Sequence, residues 1–147
     1  MIDPSLAQPP GLPRRLAAIV YDLLLVAAVV VFAACVYTVA AQGLFGADLT
    51  QGPALLVFRL YLLVIILAYY LYFWTGGRQS LAMRTWRILL LNADGSPLRA
   101  ADALRRLGFA VLTLAPLGLG LWWVLFDRDN LSWYDRLAGT RAVLLRK

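Results

Sequence analysis

The sequence predicts an all-α membrane protein with two full transmembrane helices, a third hydrophobic segment broken by Pro and Gly, and a small two-stranded β element. Of the 147 residues, 62% are hydrophobic and 15% are charged, and the mean hydropathy is +0.73. A soluble domain is about 45–50% apolar and about 25% charged. The apolar residues collect into three long runs. The composition therefore excludes an ordinary water-soluble domain, and the length fits a single membrane domain over residues 1–147.

Two of the runs are long enough to cross a bilayer as helices, which takes roughly 20 mostly apolar residues. They cover about residues 16–41 and 53–74. The first run is longer than the ~7–15-residue apolar part of a secretory signal, so we expect the chain to retain it. Arg14 and Arg15 precede it, the connection 42–52 has no basic residue, and the connection 75–106 has six. Because cytoplasmic loops are enriched in Lys and Arg, the amino terminus and the connection 75–106 are expected in the cytoplasm.

The third run, about residues 107–126, leaves two topologies open. One complete crossing would place the five basic residues of the tail, 127–147, outside the cytoplasm, against the charge rule. Its centre contains Pro116, Gly118 and Gly120, which weaken a helix. A re-entrant hairpin packed against protein would return the tail to the cytoplasm and is favoured. An ordinary Pro-kinked third span is the alternative.

Two short apolar stretches are typical of strands. Residues 86–92 lead into a turn with Asp94-Gly95 at its centre, and residues 140–146 are apolar with charged ends. A lone two-stranded element is marginal in water, so each stretch is expected to pair with the other. Such pairing requires both stretches on one side of the membrane, which supports the re-entrant hairpin.

A helix is predicted directly after this turn. Ser96 and Pro97 fit its N-cap and first helical position. Arg99, Arg105 and Arg106 would then lie along a helix that enters the bilayer or lies on its surface.

The net charge of +6 comes from 13 Arg and one Lys against eight Asp, with no His and one Cys. In so apolar a chain, this excess is best assigned to anionic lipid headgroups and to topology rather than to nucleic acid. A single cysteine excludes an intramolecular disulfide and a Cys-based metal site. No nucleophile motif, phosphate-binding Gly loop or metal-ligand cluster is found, so we expect no catalysis, metal or cofactor.

Asp22 is the most informative charged residue, because it lies inside the first span. An Asp at a span centre costs about 2.5–3.5 kcal/mol on insertion scales and usually faces a partner or a water-filled cavity. Three interpretations remain open: a buried ion pair that fixes helix packing, a group that binds or relays a cation or proton, or a contact with a partner protein. Arg15 lies two turns earlier on the same helix face, roughly 10 Å away along the axis.

Arg59 is a second charged residue within a span, near the outer end of the second run. It lies roughly 16 Å from Asp22 in depth, so we expect it to reach the outer headgroups rather than to pair with Asp22. Aromatic residues, Trp123 and Trp133 among them, concentrate toward span ends, as in an interfacial belt. Contacts to lipid or to a partner are expected from Arg59 and from Arg78, Arg84, Arg87, Arg105 and Arg106.

Three motifs together resemble the RDD family of bacterial membrane proteins. In residues 13–22, Arg15 and Asp22 match the Arg and the first Asp for which the family is named. Residues 75–81 resemble the central segment of the family. In residues 133–140, Asp135 matches the second Asp.

The chain departs from the family pattern at two places. Ala82-Met83 stand where Gly-Lys is frequent, and Tyr134 stands where His is frequent. No role of that Lys or His is therefore transferred.

The resemblance implies a multi-pass protein of the bacterial cytoplasmic (inner) membrane. For this family, transport of an unidentified ligand has been proposed, and cation–proton exchange has been suggested for some relatives. Asp22 would bind or relay the cation or proton, and Arg15 and Asp135 would form the cytoplasmic side of the site. Two spans cannot enclose a pore, so transport implies a homo-oligomer or another membrane subunit. The alternative is a non-enzymatic scaffold or assembly factor that binds lipid headgroups or a partner protein through its Arg-rich cytoplasmic face.

Overall fold

The computed structural model describes residues 9–46, 51–114, 122–127 and 131–145, and the chain divides into two compact units. Unit 1 comprises Met1–Asp22 and Tyr70–Lys147, and unit 2 comprises Leu23–Tyr69. Two long helices contribute residues to both units: α1, Leu12–Phe45, and α2, Gly52–Trp74.

Both long helices are apolar and long enough to cross a membrane. This confirms the two predicted apolar runs as continuous helices. Helix α1 has 34 residues, which corresponds to about 51 Å of helix against roughly 30 Å of bilayer hydrocarbon. It is therefore longer than one perpendicular crossing requires, and its amino-terminal turns belong to unit 1.

Unit 2 buries very little of its own surface. None of the residues of α2, all of which the structure describes, is buried, and Val26 and Ala33 are the buried residues among those described in the unit's part of α1. The ring of Tyr37 stacks on Tyr61 with centroids 4.9 Å apart, and the Phe58 ring lies 5.3 Å away. Lipid tails are as apolar as these side chains, so a bilayer suits them without a protein core.

Unit 1 contains the predicted β element. Strand β1, Ile88–Asn92, pairs antiparallel with β2, Thr140–Leu144. The predicted pairing of the two stretches is thus confirmed. Three shorter helices and a 3₁₀ turn accompany the strands: α3, Leu81–Thr85; α4, Ala100–Leu114; the turn, Trp123–Leu125; and α5, Trp133–Ala138.

The core of unit 1 lies on both faces of this ribbon, because side chains alternate along a strand. Ile88 and Leu90 pack with Leu98 and with Ala18 of α1, while Leu89 and Leu91 pack with Val143 on the other face. The first turns of α1 are therefore joined to the ribbon by apolar contact.

The start of α4 differs from the prediction. Ser96 does not cap the helix, because its N–H and hydroxyl donate to Asp94 Oδ1 at 2.8 and 2.7 Å and close the turn. Pro97 then forms a bridge with Leu91. The helix begins at Ala100 instead, and Asp102 accepts from the Arg99 N–H at 3.1 Å.

The predicted third hydrophobic segment is described only in part. Helix α4 ends at Leu114, and the structure is described again from Trp122. Its Pro- and Gly-containing centre, 115–121, lies outside the described residues. Within the described ranges, α1 and α2 are the helices long and apolar enough to span a membrane.

Candidate functional site

The candidate site is built on α5, whose first turn is organised by a Ser-x-x-Asp spacing. Ser132 is the N-cap, and its hydroxyl and N–H both donate to the carboxylate of Asp135, the N–H at 3.4 Å. Gly139 ends the helix with φ 65°, a conformation that favours glycine, and the chain continues directly into β2. These local contacts hold Asp135 on the inner face of the helix, where its exposure is 0%.

Two arginines approach this carboxylate from different elements. Arg15 Nη1 of α1 donates to Asp135 Oδ2 at 2.6 Å. Arg106 Nη1 of α4 donates to the other oxygen, Oδ1. Both arginines are buried, and a hydrogen bond between two charged groups is roughly twice as strong as a neutral one. We call Arg15, Arg106 and Asp135 the arginine–aspartate cluster.

Neighbouring groups fix each guanidinium in the cluster. Arg15 Nε donates to the Pro10 carbonyl oxygen at 3.0 Å. Arg106 donates to Thr140 Oγ1 at 2.7 Å. The Arg106 guanidinium also lies 5.3 Å from the centroid of the Trp74 ring and 5.1 Å from that of Tyr134, within the range of cation–π attraction. The cluster thereby joins the start of α1 and the end of α2 to α4, α5 and β2.

Asp135 is ionised in this environment. Burial raises the pKa of Asp135, but the charges of Arg106 and Arg15 and the hydrogen bond from Ser132 outweigh burial, so its pKa lies below the usual range. With two guanidinium groups and one carboxylate, the cluster has a formal charge of +1. An acid held ionised in this way is poorly suited to carrying a proton near neutral pH.

Asp22 lies two turns further along α1 than Arg15, and its exposure is 8%. It is close enough to Tyr70 of α2 for its charge to act on the phenol. Of the three residues that the sequence assigned to one site, the structure brings Arg15 and Asp135 into direct contact and places Asp22 two turns further along α1.

Arg106 is placed differently from the expectation. The sequence put it with the arginines that contact lipid or a partner, but it is buried against Asp135. The adjacent Arg105 has a side-chain exposure of 52%, and its Nη2 donates to the Ala138 carbonyl at 2.7 Å and to Asp102 at 3.3 Å. Successive helical residues point about 100° apart, which is why neighbouring arginines have such different environments.

The other predicted contact residues are exposed. Arg78 donates to the Tyr72 carbonyl at 3.1 Å, and its guanidinium lies 4.6 Å from the centroid of the Tyr72 ring. Arg87 has a left-handed backbone, φ 55°, immediately before β1. The residues of this group with exposed side chains are Arg59, Arg78, Arg84, Arg87 and Arg105.

Sequence reasoning missed four residues that complete the cluster: Ser132, Thr140, Trp74 and Tyr134. The Ser132-to-Asp135 spacing is a recognisable signal for the start of a helix and could have identified Ser132 from the sequence. The contributions of Thr140 and the two rings depend on tertiary contacts with Arg106, for which no local pattern exists.

Comparison with known protein families gives a match over most of the chain. No curated protein and no solved structure matches the chain significantly. A sequence model described as the RDD family matches residues 9–139, a segment that contains the arginine–aspartate cluster, Asp22 and both long apolar helices. The match covers most of the 147 residues and confirms the resemblance, so this membrane-type protein belongs to the RDD family.

Proposed function

We propose that this RDD family protein has a transport-type role in which Asp22 binds or relays a cation or proton within the membrane. The observation that carries the proposal is a buried carboxylate inside α1, a helix apolar enough to span a bilayer. Ionisable residues in such segments are costly and are usually functional. Asp135 is a weaker candidate for this role because two arginines hold it ionised.

The arginine–aspartate cluster has a supporting role in this proposal. It holds the first turns of α1 against α4 and α5, and so fixes the position of the helix that carries Asp22. Arg15 and Asp135 then act as positioning residues on the cytoplasmic side, and Asp22 is the group that contacts the ion.

The topology that belongs to this proposal has residues 75–106 and 127–147 on one side of the membrane. Its support is the β1–β2 pairing, since hydrogen-bonded strands cannot lie on opposite sides of a hydrocarbon layer. The arginines of both segments favour the cytoplasm for that side. A reporter fused after Lys147 tests this placement: cytoplasmic activity is expected, and periplasmic activity would reject the hairpin in favour of a third complete span.

Transport also requires more than one copy or an additional subunit, because two helices do not enclose a path for an ion. No residue of α2 is buried, so the surface of this helix can pack against another helix within the membrane. We therefore include a homo-oligomer or a second membrane subunit in the proposal.

The decisive experiment compares wild type with Asp22→Asn after reconstitution in liposomes, following the flux of Na⁺, K⁺ and H⁺. The matched control is Asp94→Asn, which makes the same change in an exposed turn. Flux in wild type and in the control, with loss in the folded Asp22→Asn variant, is the expected result. Absence of flux for all three cations from folded wild-type protein would remove the transport proposal.

A second candidate, a scaffold or assembly factor, is favoured by the exposed arginines of unit 1. Thirteen of the 14 basic residues and seven of the eight Asp fall in this unit, so the whole net charge of +6 belongs to it. Such a surface suits anionic headgroups or an acidic partner protein. The scaffold candidate predicts no flux, together with loss of the bound partner after Arg84→Gln and Arg87→Gln, whose side chains are exposed.

A further inference from the structure

An exposed aromatic patch on unit 1 has no part in the arginine–aspartate cluster. The rings of Trp123 and Trp133 stack with centroids 5.6 Å apart, so the 3₁₀ turn and the start of α5 adjoin. Phe126 follows in the same turn with an exposure of 81%, and Leu137 lies one helical turn after Trp133 on α5. Both tryptophans and Leu137 are also exposed. We call Trp123, Phe126, Trp133 and Leu137 the tryptophan patch.

The patch differs from the two aromatic rings that lie near Arg106. Tyr134, its neighbour in sequence, is buried with its ring near the Arg106 guanidinium, and the Trp74 ring lies near the same guanidinium. Those rings serve the interior of unit 1. Trp123 and Trp133 instead present large apolar surfaces outward, and contiguous exposed apolar patches of this kind mark interaction surfaces.

The position of the patch on α5 favours a location near the membrane surface. Helix α5 carries Trp133 and Leu137 on its exposed side and Asp135 on its buried side. Asp135 is bonded to Arg15 in the first turn of α1, and the last residues of α2 belong to the same compact unit. Helix α5, which carries Trp133 and Leu137, is therefore tied through Asp135 to the first turn of α1. In membrane proteins, tryptophan is enriched at the depth where spans begin and end.

The basic residues beside the patch also favour a lipid surface. Arg136 lies on α5 beside the patch and pairs with Asp127 at 2.7 Å, while Arg105 donates to the last turn of α5. Both arginines remain about half exposed beyond these contacts. Because unit 1 holds the entire net positive charge of the chain, its surface complements the phosphates of anionic lipids.

We propose that the tryptophan patch inserts into the headgroup layer of the bilayer, with the outer face of α5 lying on the membrane surface beside the span ends. The ligand is the headgroup region of a glycerophospholipid, with Trp123, Phe126, Trp133 and Leu137 in the glycerol and upper acyl zone and Arg105 and Arg136 at the phosphates. This surface does not depend on Asp22 or on transport.

The test measures the depth of Trp133 in lipid vesicles. A variant that keeps Trp133 and replaces the other four tryptophans with Phe is reconstituted in lipids brominated either near the glycerol or near the acyl-chain end. Strongest quenching by the shallow bromines is expected, with further quenching when anionic lipid is added. The matched control keeps only Trp86, which packs against the core of unit 1 and should be quenched little by either lipid.

Three results would overturn the proposal: quenching of Trp133 mainly by an aqueous quencher, strongest quenching by the deep bromines, or protection from all quenchers, which indicates a second copy or another protein on the patch. If the multiple Phe variant fails to fold, Leu137→Cys in a Cys35→Ala background carries a nitroxide whose accessibility to oxygen and to a water-soluble nickel chelate reports the same depth. Neither readout requires ion flux, so failure here is distinct from failure of the Asp22 site.

Discussion

Unit 1 and unit 2 belong to one chain of 147 residues but are stabilised in different ways. Unit 1 has two apolar clusters and a buried charge cluster in which one carboxylate holds two arginines. Unit 2 has one basic and one acidic residue and few buried side chains among those described. The difference follows from composition: lipid can solvate apolar helices such as those of unit 2, whereas the polar groups buried in unit 1 must be satisfied by one another.

The same comparison separates the residues for which the RDD family is named. The Arg and the second Asp, here Arg15 and Asp135, form a direct contact in unit 1. The first Asp, Asp22, is the last residue of unit 1 before α1 continues into unit 2. We expect substitutions of the contacting pair to act on stability and substitutions of Asp22 to act on function.

The largest effect on the stability of unit 1 is expected from Asp135→Asn. The change keeps the shape of the side chain but leaves Arg15 and Arg106 buried without their shared anion. Removing one member of a buried ion pair typically costs 3–5 kcal/mol. Thermal or denaturant unfolding in detergent, followed by tryptophan fluorescence, measures the loss; a variant as stable as wild type would show that the cluster does not hold unit 1 together.

The lowered pKa of Asp135 also predicts how the stability of unit 1 depends on pH. Its folded pKa lies below the ordinary value, which is about 3.9 in an unfolded chain. A lowered pKa contributes stability that is fully present above the unfolded value and is lost as the pH falls through the folded value. The unfolding free energy of wild type should therefore decline below about pH 4. Unfolding curves of Asp135→Asn over the same range should lack this component.

A smaller effect is expected from Arg106→Lys. The charge remains, but the flat guanidinium near the rings of Trp74 and Tyr134 is lost, as is its directed contact with Asp135 and Thr140. We expect a loss of about 2 kcal/mol in the free energy of unfolding. Arg105→Lys on the same helix is the matched control, and its exposed pair with Asp102 should contribute less than about 1 kcal/mol. Equal losses in both variants would show that the ring contacts contribute nothing.

The elements that the sequence predicted correctly are those with strong local or periodic signals. Two long apolar runs gave the helices α1 and α2, and two short apolar stretches with a turn gave the β1–β2 pair. The start of α4 was predicted too early because Ser96 can cap a helix or close a turn. In the structure it closes the turn on Asp94, and Pro97 forms a bridge with Leu91.

The candidate site was predictable in part for the same reason. Arg15, Asp22 and Asp135 stood out as charges in characteristic motifs, but nothing local distinguishes Arg106 from Arg105. Arg106 is buried against Asp135, whereas Arg105, about 100° further around α4, reaches the Ala138 carbonyl at the end of α5 and stays half exposed. Which arginine becomes buried is decided by tertiary packing, where sequence patterns carry little information.

The smallest effect on stability is expected from Arg59→Lys. It is the same Arg-to-Lys substitution as Arg106→Lys, but in unit 2. Arg59 is exposed on α2, and a long basic side chain near a span end can reach the headgroups as Lys or as Arg. The free energy of unfolding of the Arg59→Lys variant in nanodiscs should stay within about 0.5 kcal/mol of wild type, as for most surface substitutions. Insertion and any ion flux should also be retained. A loss of stability comparable to that of Arg106→Lys would mean that unit 2, like unit 1, depends on the geometry of a guanidinium group. The contrast between the two units would then be wrong.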